Sequence, residues 1–594
     1  MFEKVLVANR GEIAIRVMRT LREMGIGSVA VYSEADRDAP HVRFADEAYL
    51  LGPPVPAQSY LNVEKIIEVA QKAGAEAIHP GYGFLAENAD FARALDEAGI
   101  VWIGPPADAI EAMGTKTGSR ALMQKAGVPI VPGTTEPAPD VESALAAAAE
   151  IGYPVACKAA GGGGGKGLRV ARSEEELEEA FKGASREGEK FFADPRVYLE
   201  RYLEDPRHVE VQILADAHGN VIHLGERDCS VQRRHQKLIE EAPGPRVDEE
   251  MRERIGKIAV DAAAAVGYRG AGTVEGLQVG DEYFFLEMNT RVQVEHCVTE
   301  MVTGIDIVRE QIRIAAGEPL SVTQDDVQLR GHAIECRINA EAAHKNFTPT
   351  PGSINRYVEP AGPGVRVDSG VEAGTEVTPL YDPMIAKLIV WDIDRESATR
   401  RMLRALGEYE IEPLTTLIPF HKALLASEQW AKASTCRELI EDQEWLGSLA
   451  SAEAAPAEGE DEEAAETTER TYKVEVDGRL HEVKVFGAAL PAAQGSSNPG
   501  PAKPRPRRER KRGGGGGAGG PELVSPLQGT VFKVVASEGQ EVAEGDLVCV
   551  IEAMKMENEI TAPHDGVVRA VDVVPGQTVQ IGARLARIEA DGAS

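Results

Sequence analysis

The feature that most constrains the fold is an internal repeat near the C-terminal end. Displaced by 37 residues, the last segment superposes on itself: Pro526 falls on Pro563, Gly529 on Gly566, Gly539-Gln540 on Gly576-Gln577, Val542 on Val579 and Gly545 on Gly582. Ile551-Glu552-Ala553 likewise falls on Ile588-Glu589-Ala590. Within each copy apolar and polar residues alternate between glycines, the pattern of short strands with one buried face. Two such copies predict a small all-β flattened barrel with a pseudo-twofold axis. Between them lies Glu552-Ala553-Met554-Lys555-Met556-Glu557-Asn558, which puts Lys555 in the connecting turn. A lysine held out at the end of a barrel is a natural point for an amide-linked group.

The chain has 594 residues, too many for one hydrophobic core. Acidic residues number 96 against 64 basic, a formal net charge of −32. That balance argues against a nucleic-acid or membrane-surface binder. The cysteines at 157, 229, 297, 336, 436 and 549 are scattered without a CxxC pair. Neither a disulfide framework nor a zinc site is expected, and a reducing cytoplasmic setting fits. Met1 to Val7 reads as a first strand and not a signal peptide. No apolar run approaches the roughly 20 residues that span a bilayer.

Residues 1–112 alternate short apolar strands with amphipathic helices. Lys4–Ala8 and Ser28–Tyr32 read as strands, Gly11–Met24 as a helix, and Ala77–Pro80 and Ile100–Ile103 as later strand ends. This order predicts an α/β unit with a doubly wound parallel sheet. Residues 113–330 hold a glycine run and most of the charged motifs, and residues 331–446 are mixed α/β. Residues 447–470, with Glu458-Gly459-Glu460-Asp461-Glu462-Glu463, read as an acidic linker. Residues 471–486 alternate around Asp477-Gly478, a β-hairpin signal too small to be stable alone. Residues 487–522 read as a Pro/Arg/Gly linker, with a basic run Lys503–Arg512 expected to be solvated spacer and not a nucleic-acid patch. As a coil it would average roughly 30–35 Å end to end and could reach on the order of 120 Å when stretched. The repeat domain occupies 523–590.

Four pieces carry chemistry. In Phe285 to Glu295, Glu287, Asn289, Arg291, Gln293 and Glu295 alternate with mostly apolar residues. If extended, they share one face. Such a face is either a half-exposed strand or the wall of a site for Mg²⁺ and a small anion, and alternation alone leaves both open. The second piece is a strand end, Ala156-Cys157-Lys158-Ala159, followed by Gly161–Gly165 and Lys166-Gly167. Such a loop can bring N–H groups close to phosphates and close as a lid, although it lacks the Gly-Lys-Ser/Thr of a Walker A loop. The third, Glu226 to Lys237, is dense in charge, which is commonly a solvated face. The fourth, Gly331 to Ala340, places Arg337 inside an apolar strand pattern. A buried guanidinium is costly unless paired.

In this order the pieces resemble biotin carboxylase, an ATP-grasp enzyme, over about residues 1–446. The specific motifs are Ala8-Asn9-Arg10-Gly11-Glu12-Ile13-Ala14, His79-Pro80-Gly81-Tyr82-Gly83-Phe84-Leu85, Lys158 with the glycine run, Arg233-Arg234-His235-Gln236-Lys237, Glu287-Met288-Asn289-Thr290-Arg291 and Glu335-Cys336-Arg337. The repeat, with Ala553-Met554-Lys555-Met556 in its turn, resembles the biotinyl (biotin carboxyl carrier) domain.

The resemblance implies that Lys555 carries covalent biotin, attached by a biotin protein ligase. It implies an ATP-grasp unit at 113–330, with a glycine-rich lid at about 131–203, and a carboxylase C-terminal domain at 331–446. Lys116, Lys158, Gly163, Gly164, Glu200, Leu203, His208, Gln232 and His235 would contact ATP. Glu275, Glu287 and Asn289 would hold Mg²⁺ or Mn²⁺. Lys237, Arg291, Gln293 and Val294 would bind bicarbonate, Glu295 would be the general base, and Arg337 would hold the ureido oxygen of biotin. The sequence departs from the family pattern at Cys297, where proline is usual, and at Gly276, where an aromatic residue is common.

With carboxylase and carrier on one chain, the whole resembles the α subunit of an acetyl- or propionyl-CoA carboxylase. That resemblance implies an oligomeric complex completed by a separate carboxyltransferase β subunit. A pyruvate carboxylase built from the same two domains is the rival within enzymes. A carrier whose ATP-grasp half is inactive is the rival from another class, against which the intact set of charged residues argues.

Overall fold

The computed structural model describes residues 1–453, 467–488, 522–553 and 556–589, apart from 115, 135, 161–166, 193, 235, 477–478, 526–528 and 580–581. Of residues 116–117, 190–192, 451–453, 467–476, 479–488, 530, 552–553, 556–557 and 578 it describes the backbone alone. Lys555, Gly163, Gly164, His235 and the basic run Lys503–Arg512 lie outside the described residues, as does the side chain of Lys116.

The N-terminal unit is a five-stranded parallel sheet in the order β3 (Glu47–Gly52), β2 (Gly27–Ser33), β1 (Lys4–Val7), β4 (Ala77–His79), β5 (Val101–Trp102). Along β1 the side chains alternate between two cores. Val5 and Val7 pack with Ile13, Val17 and Leu21 of helix Gly11–Glu23, while Leu6 packs with Ile66 and Phe91 on the other face. Both faces are therefore covered, as an all-parallel sheet requires. Strand order reverses at β1, and ligands of open α/β sheets bind outside the carboxyl ends of the strands at such a point. There Asn9 Nδ2 donates to the carbonyls of Pro80 and Tyr82, each at 2.7 Å, and ties the two strand-end loops together.

A three-stranded sheet follows, in the order β7 (Leu168–Ala171), β6 (Val155–Ala159), β8 (Val197–Arg201). Helices Val141–Ile151 and Glu174–Phe192 pack on it around Ala148, Cys157, Leu177 and Leu199, a core of its own. This small unit covers the stretch expected to form the lid.

The largest element is an eight-stranded antiparallel sheet. Its order is β13 (Glu282–Asn289), β12 (Gly270–Val279), β9 (Arg207–Ala215), β10 (Val221–Arg233), β11 (Gln236–Ala242), β14 (His332–Asn339), then strands Met384–Asp392 and Val365–Ser369. β11 pairs with β14, so the sheet runs across residue 330, where the sequence places a domain boundary. The N-terminal unit packs against this sheet through Ile13 and Val17 with Leu214 and Ile222, and Ile307 of helix Ile307–Ala315 joins the same core.

The stretch 447–470, expected to be linker, is shortened at both ends. Helix Gln443–Glu453 enters it, and the hairpin begins at Thr467, earlier than its alternation suggested. Strands Thr467–Val476 and Arg479–Ala488 pair in unbroken register.

The repeat folds as two four-stranded sheets. One has the order Glu522–Val524, Arg584–Glu589, Gly566–Val571, Glu541–Val542; the other has the order Met556–Thr561, Leu547–Ala553, Gly529–Val534, Thr578–Val579. The 37-residue displacement carries each strand of one sheet onto its counterpart in the other. The hydrogen bonds obey the same symmetry. Gly539 N donates to Val568 O, and Gly576 N to Val531 O, both at 2.7 Å; Gly545 N donates to Ala562 O at 2.9 Å and Gly582 N to Ser525 O at 2.8 Å. Ala553 pairs with Met556 at the end of the central hairpin, and the expected place of Lys555 in its turn lies outside the described residues.

Candidate active site

Register on the eight-stranded sheet builds the site. Arg227 lies opposite Glu210, Glu210 opposite Glu275, and Glu275 opposite Glu287, across four adjacent strands. Directly opposite side chains share a face, so three carboxylates stand in a row beside one guanidinium. Like charges this close cannot all ionise without cations among them. Arg227, fully buried, donates through Nε to Glu210 at 2.5 Å and through Nη1 to Gln212 at 2.7 Å. Lys237 reaches in from β11. Its Nζ lies 2.5 Å from Glu210 Oε2, 3.0 Å from Glu275 Oε1 and 2.6 Å from Glu295 Oε1.

Glu295 is 1% exposed and is held from two sides, by Lys237 and by Arg337 Nη2 at 2.9 Å. Arg337 also donates through Nε to Glu240 at 2.6 Å. The buried guanidinium flagged in the sequence is thus paired twice. Burial alone would push the Glu295 carboxyl up; Lys237, Arg337 and Arg227 outweigh it and hold it below the usual carboxylate range. Glu275 is likewise pushed up by burial but held well below by Lys237 and His208. Burial disfavours charge on Lys237, yet Glu210, Glu275 and Glu295 raise it well above an ordinary lysine. The resulting site holds an ionised carboxylate, able to accept a proton, between two fixed cations.

The expected single strand of five polar residues is corrected in part. β13 ends at Asn289, and Glu295 caps helix His296–Thr303. Only Glu287 and Asn289 lie on the strand; a non-strand turn carries Arg291, Gln293 and Glu295. All still converge, because Val292 remains fully buried in the core and pins the turn. Asn289 Nδ2 donates to Glu275 Oε1 at 3.0 Å, Gln293 Nε2 donates to the same oxygen, and Arg291 Nη2 donates to Asn289 Oδ1 at 2.8 Å. Arg291 Nε is anchored by Glu87 at 3.0 Å. The carbonyl of Val294 accepts from Lys387 Nζ at 2.8 Å, a lysine with no exposure at all.

His208 Nε2 is 2.9 Å from Glu275 Oε2. Burial opposes its charge, but Glu275 wins and raises it. On the small sheet, Lys158 is ion-paired with Glu200, which also takes Arg120 Nη1 at 2.7 Å. Leu203 is buried against Val131 and Phe284. Gln232 sits opposite Lys237 on the β10–β11 hairpin. Carboxylate and amide oxygens at 275, 287 and 289 form a donor set suited to Mg²⁺. Gly276 makes room for a neighbour: a Cβ there would overlap the Tyr283 ring, which fills the space beside Glu275. Cys297 sits fully buried, with Sγ 3.2 Å from Lys387 Nζ and 3.3 Å from Asp368 Oδ2.

Sequence reasoning missed Glu210, Arg227, Glu240, Lys387 and Glu87. For Glu210 the signal was present, since Val209, Val211 and Ile213 alternate with His208, Glu210 and Gln212. Lys387 carries the same mark as Arg337, a lone cation in an apolar strand.

A parallel-sheet unit, a small glycine-bearing sheet and an acid-lined antiparallel sheet together define an ATP-grasp ligase. Family models agree: biotin carboxylase, N-terminal domain, matches residues 1–110; the ATP-binding domain of carbamoyl-phosphate synthase L chain matches 115–323; biotin carboxylase C-terminal domain matches 335–442; and biotin-requiring enzyme matches 521–588. The chain is 47% identical to the biotin-dependent acyl-coenzyme A carboxylase alpha3 subunit of Mycobacterium leprae, over 99% of this chain and 98% of that one. It is 56% identical to a pyruvate carboxylase subunit of Methanothermobacter thermautotrophicus, over 74% of this chain and 90% of that one. Among solved structures it resembles the biotin carboxylase domain of Hydrogenobacter thermophilus 2-oxoglutarate carboxylase in complex with MgADP, ADP and bicarbonate. There the TM-score is 0.68 at 50% identity, over 74% of this chain and 99% of that one. The chain belongs to the biotin carboxylase family and carries its own biotin carrier domain. The matched domains are those that take biotin and ATP.

Proposed function

We propose that this chain makes carboxyphosphate from ATP and bicarbonate and passes the carboxyl group to biotin on Lys555, as the α subunit of an acetyl- or propionyl-CoA carboxylase. The observation that carries the reading is one unbroken run of contacts, Glu275–Lys237–Glu295–Arg337, which holds an ionised carboxylate between two cations. Glu295 takes the bicarbonate proton while a bicarbonate oxygen attacks the γ-phosphorus. Lys237, Arg291, Gln293 and the Val294 backbone hold bicarbonate. Glu275, Glu287 and Asn289 would hold Mg²⁺ or Mn²⁺, which supplies charge neutralisation at the transferring phosphoryl group. Lys116, Lys158, Glu200, Leu203, His208, Gln232 and His235 contact ATP. Gly163 and Gly164 close over the phosphates, excluding water from an intermediate that water destroys. Biotin on Lys555 would supply the ureido nitrogen that accepts the carboxyl group as phosphate leaves and takes that nitrogen's proton, and Arg337 would hold the ureido oxygen, where negative charge gathers.

The match to relatives supports the acyl-CoA reading of acceptor and partner. The Mycobacterium relative, named for an acyl-CoA carboxylase, matches almost end to end, whereas the pyruvate carboxylase relative matches only three-quarters of this chain. On this reading a separate carboxyltransferase β subunit completes the reaction within an oligomeric complex, and a biotin protein ligase loads Lys555. The test is ADP release by the purified chain with Mg²⁺, with and without bicarbonate and free biotin. Turnover that needs bicarbonate and rises with biotin is expected; turnover indifferent to bicarbonate would refute the reading.

A further inference from the structure

Behind Arg337, strands β11 and β14 place Glu240 directly opposite Glu335. Neither is exposed at all. Glu240 Oε1 accepts from Arg337, but Glu240 Oε2 and both carboxyl oxygens of Glu335 lack a hydrogen-bond partner among the described residues. A carboxylate left unpartnered in a dry interior is too costly to stay ionised, and two that share a site do not both ionise.

The cations that face the pair are committed elsewhere. Arg337 spans Glu240 and Glu295. Lys387, opposite Arg337 on the next strand, donates to Val294 O and lies 3.4 Å from Glu12 Oε2 and 3.8 Å from Asp368 Oδ2. Lys237 is held by Glu210, Glu275 and Glu295. The nearby thiols of Cys229 and Cys336 are pushed up by burial and stay neutral. Burial likewise pushes the Glu335 carboxyl well above the ordinary range and Glu240 up to about 7.

We propose that Glu240 and Glu335 hold one proton between them, and that through Arg337 this pair is a positioning device that sets the basicity of Glu295. With the two residues opposite each other, the Glu335 hydroxyl donates to Glu240 Oε2, which gives partners to two of the three orphaned oxygens. Glu240 then remains an anion and draws on the Arg337 charge from behind. Without that pull, Arg337 would spend its whole charge on Glu295 and make it a poorer base. No bond other than O–H is involved, and the proton stays within the pair. The proposal rests on the reading of Glu295 as the base.

Two measurements on the full chain decide it. In the infrared difference spectrum of wild type minus E335Q at neutral pH, a protonated-carboxyl carbonyl band is expected; its absence overturns the shared proton. In bicarbonate-dependent ATP turnover, E240Q is expected to lower kcat on the order of tenfold and to move the acid limb of its pH profile down by about one unit. Loss of kcat with the limb unmoved would leave Glu240 a structural role only and overturn the coupling, as would unchanged kcat. Should E240Q not fold, E335A takes its place, because removing the proton donor leaves Glu240 dependent on Arg337 alone; its limb is expected to move up, and a limb in place overturns the coupling. E295Q separates the two claims. If E295Q keeps its turnover, the base assignment fails, while the infrared band still decides whether the pair holds a proton.

Discussion

In the carrier domain two halves exchange equivalent hydrogen bonds across a pseudo-twofold axis, and a single residue, Lys555, is the proposed point of attachment for biotin. In the carboxylase no symmetry relates the strands that build the site. Arg227, Glu210, Glu275 and Glu287 come from four strands, Lys237 and Arg337 from two more, and Glu295 from a helix cap. The difference tracks what each must do. A carrier needs a stable scaffold and one reactive point, which a duplicated strand pattern supplies. A phosphoryl-transfer site needs several charges of opposite sign at fixed places in a low-dielectric wall, which only a wide sheet can array. Function is therefore concentrated in one region and distributed in the other, and substitutions should report that contrast.

Its sharpest form is at Lys555. Lys555→Ala should abolish biotin attachment and the coupled carboxylation completely while leaving turnover of free biotin intact, measured as biotin content and ADP release. Loss of the free-biotin reaction as well would mean that the two regions are not separable. In the distributed site, Glu295→Gln should lower bicarbonate-dependent ATP turnover by on the order of 10²–10⁴-fold with the circular dichroism spectrum unchanged. A loss below tenfold would remove Glu295 from the role of base.

The same contrast governs what could be read from residues alone. The carrier was legible because its information is local: alternation, glycines at fixed offsets and one lysine in the turn. The first unit was legible for the same reason, and Lys4–Val7, Gly11–Glu23 and Gly27–Ser33 fall where alternation and amphipathicity put them. The site was legible residue by residue but not in its geometry. Gln293 and Glu295 reach Glu275 and Lys237 by a turn, and what keeps them aimed is the burial of Val292 in a core that also holds Val5, Ile13 and Val17 from the far N-terminal unit. Glu210 and Glu240 matter because of cross-strand register with Glu275 and Glu335. Register between strands far apart in the chain is set by packing, and no local pattern encodes it.

Symmetry in the carrier makes a smaller and more discriminating prediction. Gly539 and Gly576 have φ of 84° and 85°, and a Cβ at either would meet nothing within 4 Å. The cost of alanine there is therefore backbone strain alone, about 1–2 kcal/mol. Gly539→Ala and Gly576→Ala should weaken hydrogen-exchange protection of the carrier strands equally. A clear inequality would show that the halves, though matched in hydrogen bonds, are not matched in energy.

The smallest expected effect concerns how the regions meet. Residues 489–521 lie outside the described residues, yet their composition predicts a solvated spacer whose length sets the effective concentration of Lys555 at the carboxylase site. Effective concentration falls only as about the −3/2 power of linker length while the span is covered, and collapses once it is not. Removing about half of the spacer should therefore change the coupled reaction by no more than a few-fold if the remaining chain still spans the gap. If it does not, the coupled reaction should fall steeply. Turnover of free biotin should stay constant in both cases, because Glu295 is held by Lys237 and Arg337, both within the carboxylase. A free-biotin rate that falls with spacer length would mean that the carrier supports the carboxylase site directly, and the separation between concentrated and distributed function would have to be redrawn.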